Sequence, residues 1–359
     1  MTLSVCLIVK DEEEVIGRCL DCVKEFADEI IVVDTGSTDG TVNEVKRFTD
    51  KVYFFKWRDD FSAARNFAFE KATCDFVMWL DADDLITAEN IKKIIQLKDI
   101  VSEYDMVMMN YAASFDGDKP TFVYRRERIF RRDKNYKFSG AVHEAVTPNG
   151  RIYHSDAAIY HKKIKRGEPL RNLKIYQKQI SSGEMLDGRQ KFYYGRELLF
   201  NRMYREAIAV LEDFLNGEGW VVNKCEACLN LHRAYLEIGD ETRAMSSLLR
   251  SLTFASPNAE TCCILGDYFF GKNEYKSAAY WYENALKCTD SVDTGGFVNL
   301  DFCGFIPYIQ LCVIYFRLGE REKAFAYNEA AGRIKPENEN YLYNKNFFEN
   351  IGIRGIIND

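Results

Sequence analysis

The sequence predicts an α/β domain built on a mainly parallel sheet, followed by an all-α domain of helical repeats. Up to about residue 164, short continuous apolar runs alternate with amphipathic stretches, the pattern of strands covered on both faces by crossover helices. From about Gly188 onward the apolar spacing is helical, and Ala207, Ala244, Ala278 and Ala324 recur at intervals of 37, 34 and 46 residues. With 359 residues the chain has room for two full cores. The expected division is residues 1–168, a connecting helix over 169–186, and residues 187–359.

The elements follow in order. Residues 3–9 read as a first buried strand, apolar for too few positions to be a leader and without its basic start. A helix over 12–26, a strand over 29–34, a helix over 41–48 and a strand over 52–55 come next. They are followed by a helix over 61–72, a strand over 76–80 and a helix opening near Ala88, for which Asp84 or Thr87 is the expected cap. Residues 170–180 read as the connecting helix, stopped by Ser182 and Gly183. In the repeats, Gly195, Tyr204, Ala207 and Leu211 are echoed by Gly239, Ala244 and Leu248. Gly266, Tyr275, Ala278 and Tyr282 repeat the set, and so do Gly319, Ala324 and Asn328. Pro257 and Pro336 fall at expected helix ends, and residues 290–296 read as a loop insertion.

Composition excludes some functions. Lys and Arg number 48 against 55 Asp and Glu, a net charge of −7 that argues against neutralising nucleic-acid phosphates. The basic runs at Arg125, Arg126, Arg128, Arg131 and Arg132, and at Lys162, Lys163, Lys165 and Arg166, could face a nucleotide-sugar or an anionic acceptor, but most of them read as solvated strand edges. No run of about 18 apolar residues predicts a membrane span. Eleven cysteines without a leader predict a reducing, cytoplasmic setting. Cys19 with Cys22 and Cys225 with Cys228 have metal-like spacing but fall on apolar helices, as ordinary buried thiols.

Ligands of parallel sheets sit beyond the strand carboxyl ends, where Lys10, Asp34 and Asp81 all lie. Asp81, Asp83 and Asp84 put three carboxylates within four residues, and such charges repel unless a divalent cation such as Mg²⁺ or Mn²⁺ sits among them; helix capping is the competing explanation. Asp34 has the charge to accept hydrogen bonds from a ribose or base, while Gly36 lets backbone approach a ligand. Ser37, Thr38 and Asp39 form the turn, and Arg65 near a helix start would face a pyrophosphate. His143, His154 and His161 cluster within 19 residues, whereas His232 stands alone; His154 and His232 read as structural.

Residues 9–13, 33–39, 60–66 and 79–83, in this order, resemble the inverting family-two glycosyltransferases of the Rossmann-like glycosyltransferase-A fold. The branch is the one whose catalytic domain is followed by tetratricopeptide repeats, and the chain is similar to bacteriocin peptide S-glycosyltransferases. The resemblance implies a UDP-sugar donor bound by Val9, Lys10, Asp34, Gly36, Asp39, Arg65, Asp81 and Ala82. It also implies Mn²⁺ or Mg²⁺ on Asp81 and Asp83, with His161 as a further ligand, and Glu144 as general base with His143 orienting it or touching phosphate. Asp84 is the alternative base. A thiol acceptor, partly ionised near neutral pH, would need Glu144 less than a hydroxyl would. The repeats would present a peptide or protein acceptor in a groove or form a homodimer interface; the rival readings are a saccharide or lipid-linked glycan acceptor, or an inactive repeat scaffold.

Overall fold

The computed structural model describes residues 1–164, 168–288 and 295–353. Most of the expected loop insertion, residues 290–294, lies outside them, as do Lys165 and Arg166.

Strand β1 (Leu3–Val9) is the hub of the sheet. It pairs in parallel with β2 (Glu29–Asp34) on one side and β4 (Phe76–Leu80) on the other, and β2 pairs in parallel with β3 (Val52–Phe54). The apolar run is continuous because both faces are covered. Leu3, Val5 and Leu7 pack toward α1 (Ile16–Val23) and α4 (Ala88–Ile100), while Cys6 packs with Ile31, Val33 and Ala68 of α3 (Phe61–Glu70). The register aligns Val9 with Asp34 and Leu7 with Leu80, so the residues that follow, Lys10, Thr35 and Asp81, emerge side by side at one edge.

Helix α1 is shorter than the expected span: residues 13–15 form a turn, with the Val15 and Ile16 amides donating to the Glu12 carbonyl, and the helix ends at Val23. Helix α2 (Thr41–Val45) is likewise brief. Asp60 caps α3 by accepting from the Ala63 amide, and Thr87 caps α4 through Asn90. Asp84 caps nothing; it lies in the two-residue strand β5 (Asp84–Leu85).

Beyond β4 the order runs β7 (Lys119–Arg131), β6 (Met106–Asp116), β8 (Ile152–His161) and β5. Strand β7 lies antiparallel to β4, and β8 is parallel to β6 but antiparallel to β5. The last pairing sets Asp84 directly opposite His161.

Two compact units emerge: Met1–Phe115 with Val123–Asn223, and Asp116–Phe122 with the described chain from Lys224 on. The first therefore contains α5 (Arg171–Ser181), stopped at Gly183 with φ +85°, and the helix pair α6 (Gly188–Phe200) and α7 (Tyr204–Asn216). In the second, α8 (Val221–Glu237) and α9 (Glu241–Arg250) are followed by α10 (Ala259–Gly271), α11 (Tyr275–Ala285), β9 (Val298–Asn299), α12 (Phe305–Arg317), α13 (Arg321–Ile334) and α14 (Glu339–Asn350). Helices α10 and α11, and α12 and α13, pack as consecutive pairs.

Ala207, Ala244, Ala278 and Ala324 are fully buried, each on the second helix of its pair, which is the helical-repeat pattern. The glycines need correction. A Cβ on Gly195 would stand 2.6 Å from Leu211, and one on Gly266 would stand 2.6 Å from the Tyr282 ring, so these two permit helix contact. Gly239 and Gly319 instead take φ of +78° and +84° at turns. The positions that correspond to Gly195 and Gly266 are His232 and Cys312, and His232 is a core residue whose Nδ1 lies 3.0 Å from the Ala244 carbonyl. All eleven cysteines are free thiols. Among the described residues, no helix is long and apolar enough to cross a membrane.

Candidate active site

A cleft of about 890 Å³ opens beyond the carboxyl ends of β1 and β4. Its lining includes Val9, Lys10, Arg65, Asp81, Ala82, Asp83, His143, Glu144 and His161, residues drawn from five separate stretches of sequence. Asp34, Gly36 and Asp39 are not on its wall, although Thr35 is.

The loops after β1 and β2 are bound to each other. Asp34 is buried and accepts from the amides of Gly36 (3.0 Å) and Ser37 (3.1 Å). The Asp11 amide donates to Ser37 Oγ (2.9 Å), and Asp11 accepts from the Thr38 amide (2.7 Å). Asp39 accepts from the Glu13 and Thr41 amides (3.2 and 3.0 Å), so its carboxylate ties the two loops together.

Arg65 joins the two sides of the site. Its Nη2 donates to Asp81 Oδ1 and its Nε to Glu144 Oε1, both at 2.6 Å. The guanidinium lies 4.3 Å from the Trp79 ring centroid and is nearly inaccessible to water. Although burial disfavours their charged forms, the pairing keeps Arg65 cationic beyond its ordinary range and holds Asp81 below the usual carboxylate range, helped by Arg128. Arg65 is thus occupied by carboxylates rather than poised as a free pyrophosphate ligand.

Trp79 is a platform for further cations. Arg128 stacks on it at 3.8 Å, Arg126 at 4.9 Å, and its indole N–H donates to the Glu127 carbonyl at 2.6 Å. The expected solvated edge is therefore overturned for Arg125, Arg126, Arg128 and Arg131, whereas Arg132 is exposed. Arg128 is fully buried against Asp84 (3.3 Å), Arg126 donates to the Glu144 carbonyl (3.1 Å), and Arg125 and Arg131 donate to the carbonyls of Ser155 and Tyr104. Tyr124, Arg126 and Arg128 share one strand face at period two, the signal by which sequence reasoning could have found them.

Asp84 is almost completely buried and saturated. It accepts from the Asp81 amide (3.0 Å), Tyr111 hydroxyl (3.0 Å) and Arg128, which leaves it neither a cap nor an available base. His161 Nδ1 lies 3.2 Å from Asp83 Oδ1 and 3.4 Å from Asp84 Oδ1. Burial opposes its protonation, but the two carboxylates win and push His161 up to about 10. Ligand atoms of Asp81, Asp84 and His161 lie within 4.8 Å of one another; Asp83 stands beside that trio through His161. The carboxylates suit a hard cation such as Mn²⁺ or Mg²⁺, whereas the imidazole adds a ligand more usual for later transition metals.

His143 is turned toward α6. Its Nε2 lies 2.7 Å from Glu197 Oε1, and its ring stacks on Tyr193 with centroids 4.4 Å apart. Glu197 and Tyr193 were missed as site residues because 50 or more residues separate them from His143 and no local pattern links them. His154 is exposed on β8.

Residues 4–165 match the family model described as Glycosyl transferase family 2. The chain is 31% identical over 230 residues to the SPbeta prophage-derived glycosyltransferase SunS of Bacillus subtilis, covering 60% of this chain and 53% of that protein. It is 27% identical to the lipopolysaccharide core biosynthesis glycosyltransferase LpsC of Rhizobium meliloti, covering 57% and 81%. It is also 36% identical over 144 residues to a TPR repeat-containing protein of Synechococcus elongatus, covering 40% and 35%. The chain thus spans about half the length of the SunS protein it matches.

Proposed function

We propose, from the premise that residues 4–165 form a family-2 glycosyltransferase domain, that the chain is a metal-dependent inverting glycosyltransferase moving a sugar from a UDP-sugar to a peptide or protein side chain. The observation that carries this reading is the single Arg65 guanidinium that holds Asp81, of the expected metal pair, and Glu144, the expected base, in one cleft at the carboxyl ends of the strands.

Inversion requires the acceptor to attack the sugar from the face opposite the leaving diphosphate while a base removes the acceptor's proton. Glu144 is that base: its contact with Arg65 uses Oε1, and Oε2 is the atom proposed to receive the proton. Asp81, Asp83 and His161 are the proposed ligands of Mn²⁺ or Mg²⁺, whose charge would offset that of the departing diphosphate; the trio whose ligand atoms already lie within 4.8 Å of one another has Asp84 in place of Asp83. His161, protonated without a cation, would release that proton on ligation. Val9, Lys10 and the Asp34 loop are the proposed nucleoside side of the cleft, with Asp34 fixing the loop from beneath. The helical repeats are the proposed acceptor-binding part.

The name of the Rhizobium relative supports a second reading, in which the acceptor is a saccharide. A panel of UDP-sugars with Mn²⁺, read by UDP release, tests the common chemistry; adding cysteine- or serine-containing peptides against oligosaccharides separates the acceptors. Asp83→Ala is expected to lower metal-dependent UDP release by about a hundredfold. Equal release from variant and wild type would refute the metal assignment.

A further inference from the structure

We propose that helix α6 belongs to the catalytic apparatus, with Glu197, Tyr193 and Arg189 clamping the loop that carries Glu144. The inference rests on Glu144 acting as the base, as argued above.

The loop over residues 140–144 is short and conformationally demanding. Hydrogen bonds between Ser139 and Ala145 close its base at 3.0 and 3.2 Å, and the Phe61 amide donates to the Ala141 carbonyl at 2.8 Å. Between these anchors Gly140 takes φ +94° and His143 takes φ +51°. A left-handed conformation at a residue with a Cβ is strained, so it persists where the surroundings fix it.

Those surroundings are α6 and its neighbour. Glu197 Oε1 holds His143 Nε2 at 2.7 Å and also accepts from Asn172 of α5 at 3.0 Å. Tyr193 lies flat against the imidazole with 13° between the rings. Arg189, stacked over Tyr193 at 4.7 Å, donates to the His143 carbonyl at 3.2 Å. Burial works against ionisation of Glu197, but its bonds from His143 and Asn172 keep its pKa below the ordinary value. The clamp thus holds both the side chain and the main chain of the residue adjoining Glu144. From the other side Arg65 and Arg126 hold the Glu144 carboxylate and carbonyl. His143, Glu197, Tyr193 and Arg189 are therefore positioning residues, and the first helix of the repeats supplies three of them.

The test uses the full chain with Mn²⁺ and UDP-glucose or UDP-N-acetylglucosamine, whichever the wild type turns over, and reads UDP release. Glu197→Ala is expected to lower kcat by about ten- to a hundredfold with donor KM within about twofold, the cost of a misplaced base. Glu197→Gln, which can still hydrogen-bond His143, should recover most of that loss. Combined with Glu144→Ala, the Glu197→Ala change should cost nothing more, because the two act as one unit. Tyr193→Leu removes the stack while leaving the charged contact and should act in the same direction. Hydrogen exchange over residues 140–145 should quicken in each clamp variant. UDP release at the wild-type rate, a rise in KM without loss of kcat, or losses that multiply in the double variant would overturn the clamp. Wild-type protein that releases no UDP from any donor would overturn the transferase reading, whereas unchanged exchange over 140–145 in Glu197→Ala overturns the clamp alone.

Discussion

The two ends of the same parallel sheet hold carboxylates in opposite ways. At the amino end, Glu29 lies beside Ser4 in register and accepts from Ser4 Oγ, Lys51 Nζ, and the amide and hydroxyl of Thr73, so both its oxygens are spoken for. At the carboxyl end, Asp81, Asp83, Asp84 and Glu144 meet Arg65, Arg128 and His161 around a cleft. There Glu144 is bonded to Arg65 through one oxygen, and among the described residues Asp83 forms its ion pair with His161. A carboxylate saturated by its own chain fastens the fold, whereas a group of carboxylates facing a cleft with lone pairs to spare can hold a ligand. Asp84 crosses that division, sitting at the carboxyl end but saturated like Glu29.

Arg65→Leu should have the largest effect. It strands Asp81 and Glu144 without their shared cation in a site that is largely shielded from water, with an expected loss of about 3–5 kcal/mol in denaturant unfolding. UDP release should fall at least about a hundredfold as well, since both carboxylates lose their orientation. Lower stability with an intact turnover rate would make this end of the sheet as purely structural as the other.

Adjacent aspartates sharpen the distinction. Asp84→Asn removes the counter-charge of Arg128, which has no exposed surface, and should cost about 3 kcal/mol of stability. Asp83→Asn should leave stability within about 0.5 kcal/mol and instead lower Mn²⁺-dependent UDP release by about a hundredfold. Reversed results would place the site's ligand on Asp84.

Much of this arrangement was legible in the sequence because it rests on local rules. Continuous apolar runs marked β1, β2 and β4, and the rule that ligands sit beyond strand ends brought Lys10 and Asp81 to one edge, as the register of Val9 with Asp34 and Leu7 with Leu80 does. What escaped was set by contacts distant in sequence or by backbone conformation. The Arg126 and Arg128 side chains looked solvated until β7 placed them against Trp79 of β4. Gly195 and Gly239 are the same residue type with different work, one allowing close helix approach and the other a turn, and repeat spacing does not separate the two. The contact of His143 with Glu197 spans 54 residues and leaves no local trace.

The smallest expected effect tests the amino end. Burial raises the Glu29 pKa, but Lys51, Ser4 and Thr73 outweigh it and bring the group down to about 2. A carboxylate depressed in the folded state stabilises the protein fully above its unfolded pKa near 4.5, and that contribution fades as pH falls toward about 2. Because Lys51 is half exposed, the contribution is discounted to about 2 kcal/mol. Glu29→Gln should therefore unfold about 2 kcal/mol more easily than wild type at pH 7, by less at pH 3, and by nearly nothing at pH 2. UDP release at pH 7 should be unchanged, because among the described residues the hydrogen-bond partners of Glu29, namely Ser4, Lys51 and Thr73, do not line the cleft. A stability gap that persists down to pH 2 would show that Glu29 acts through packing rather than charge, and a fall in turnover would show that the two ends of the sheet are coupled.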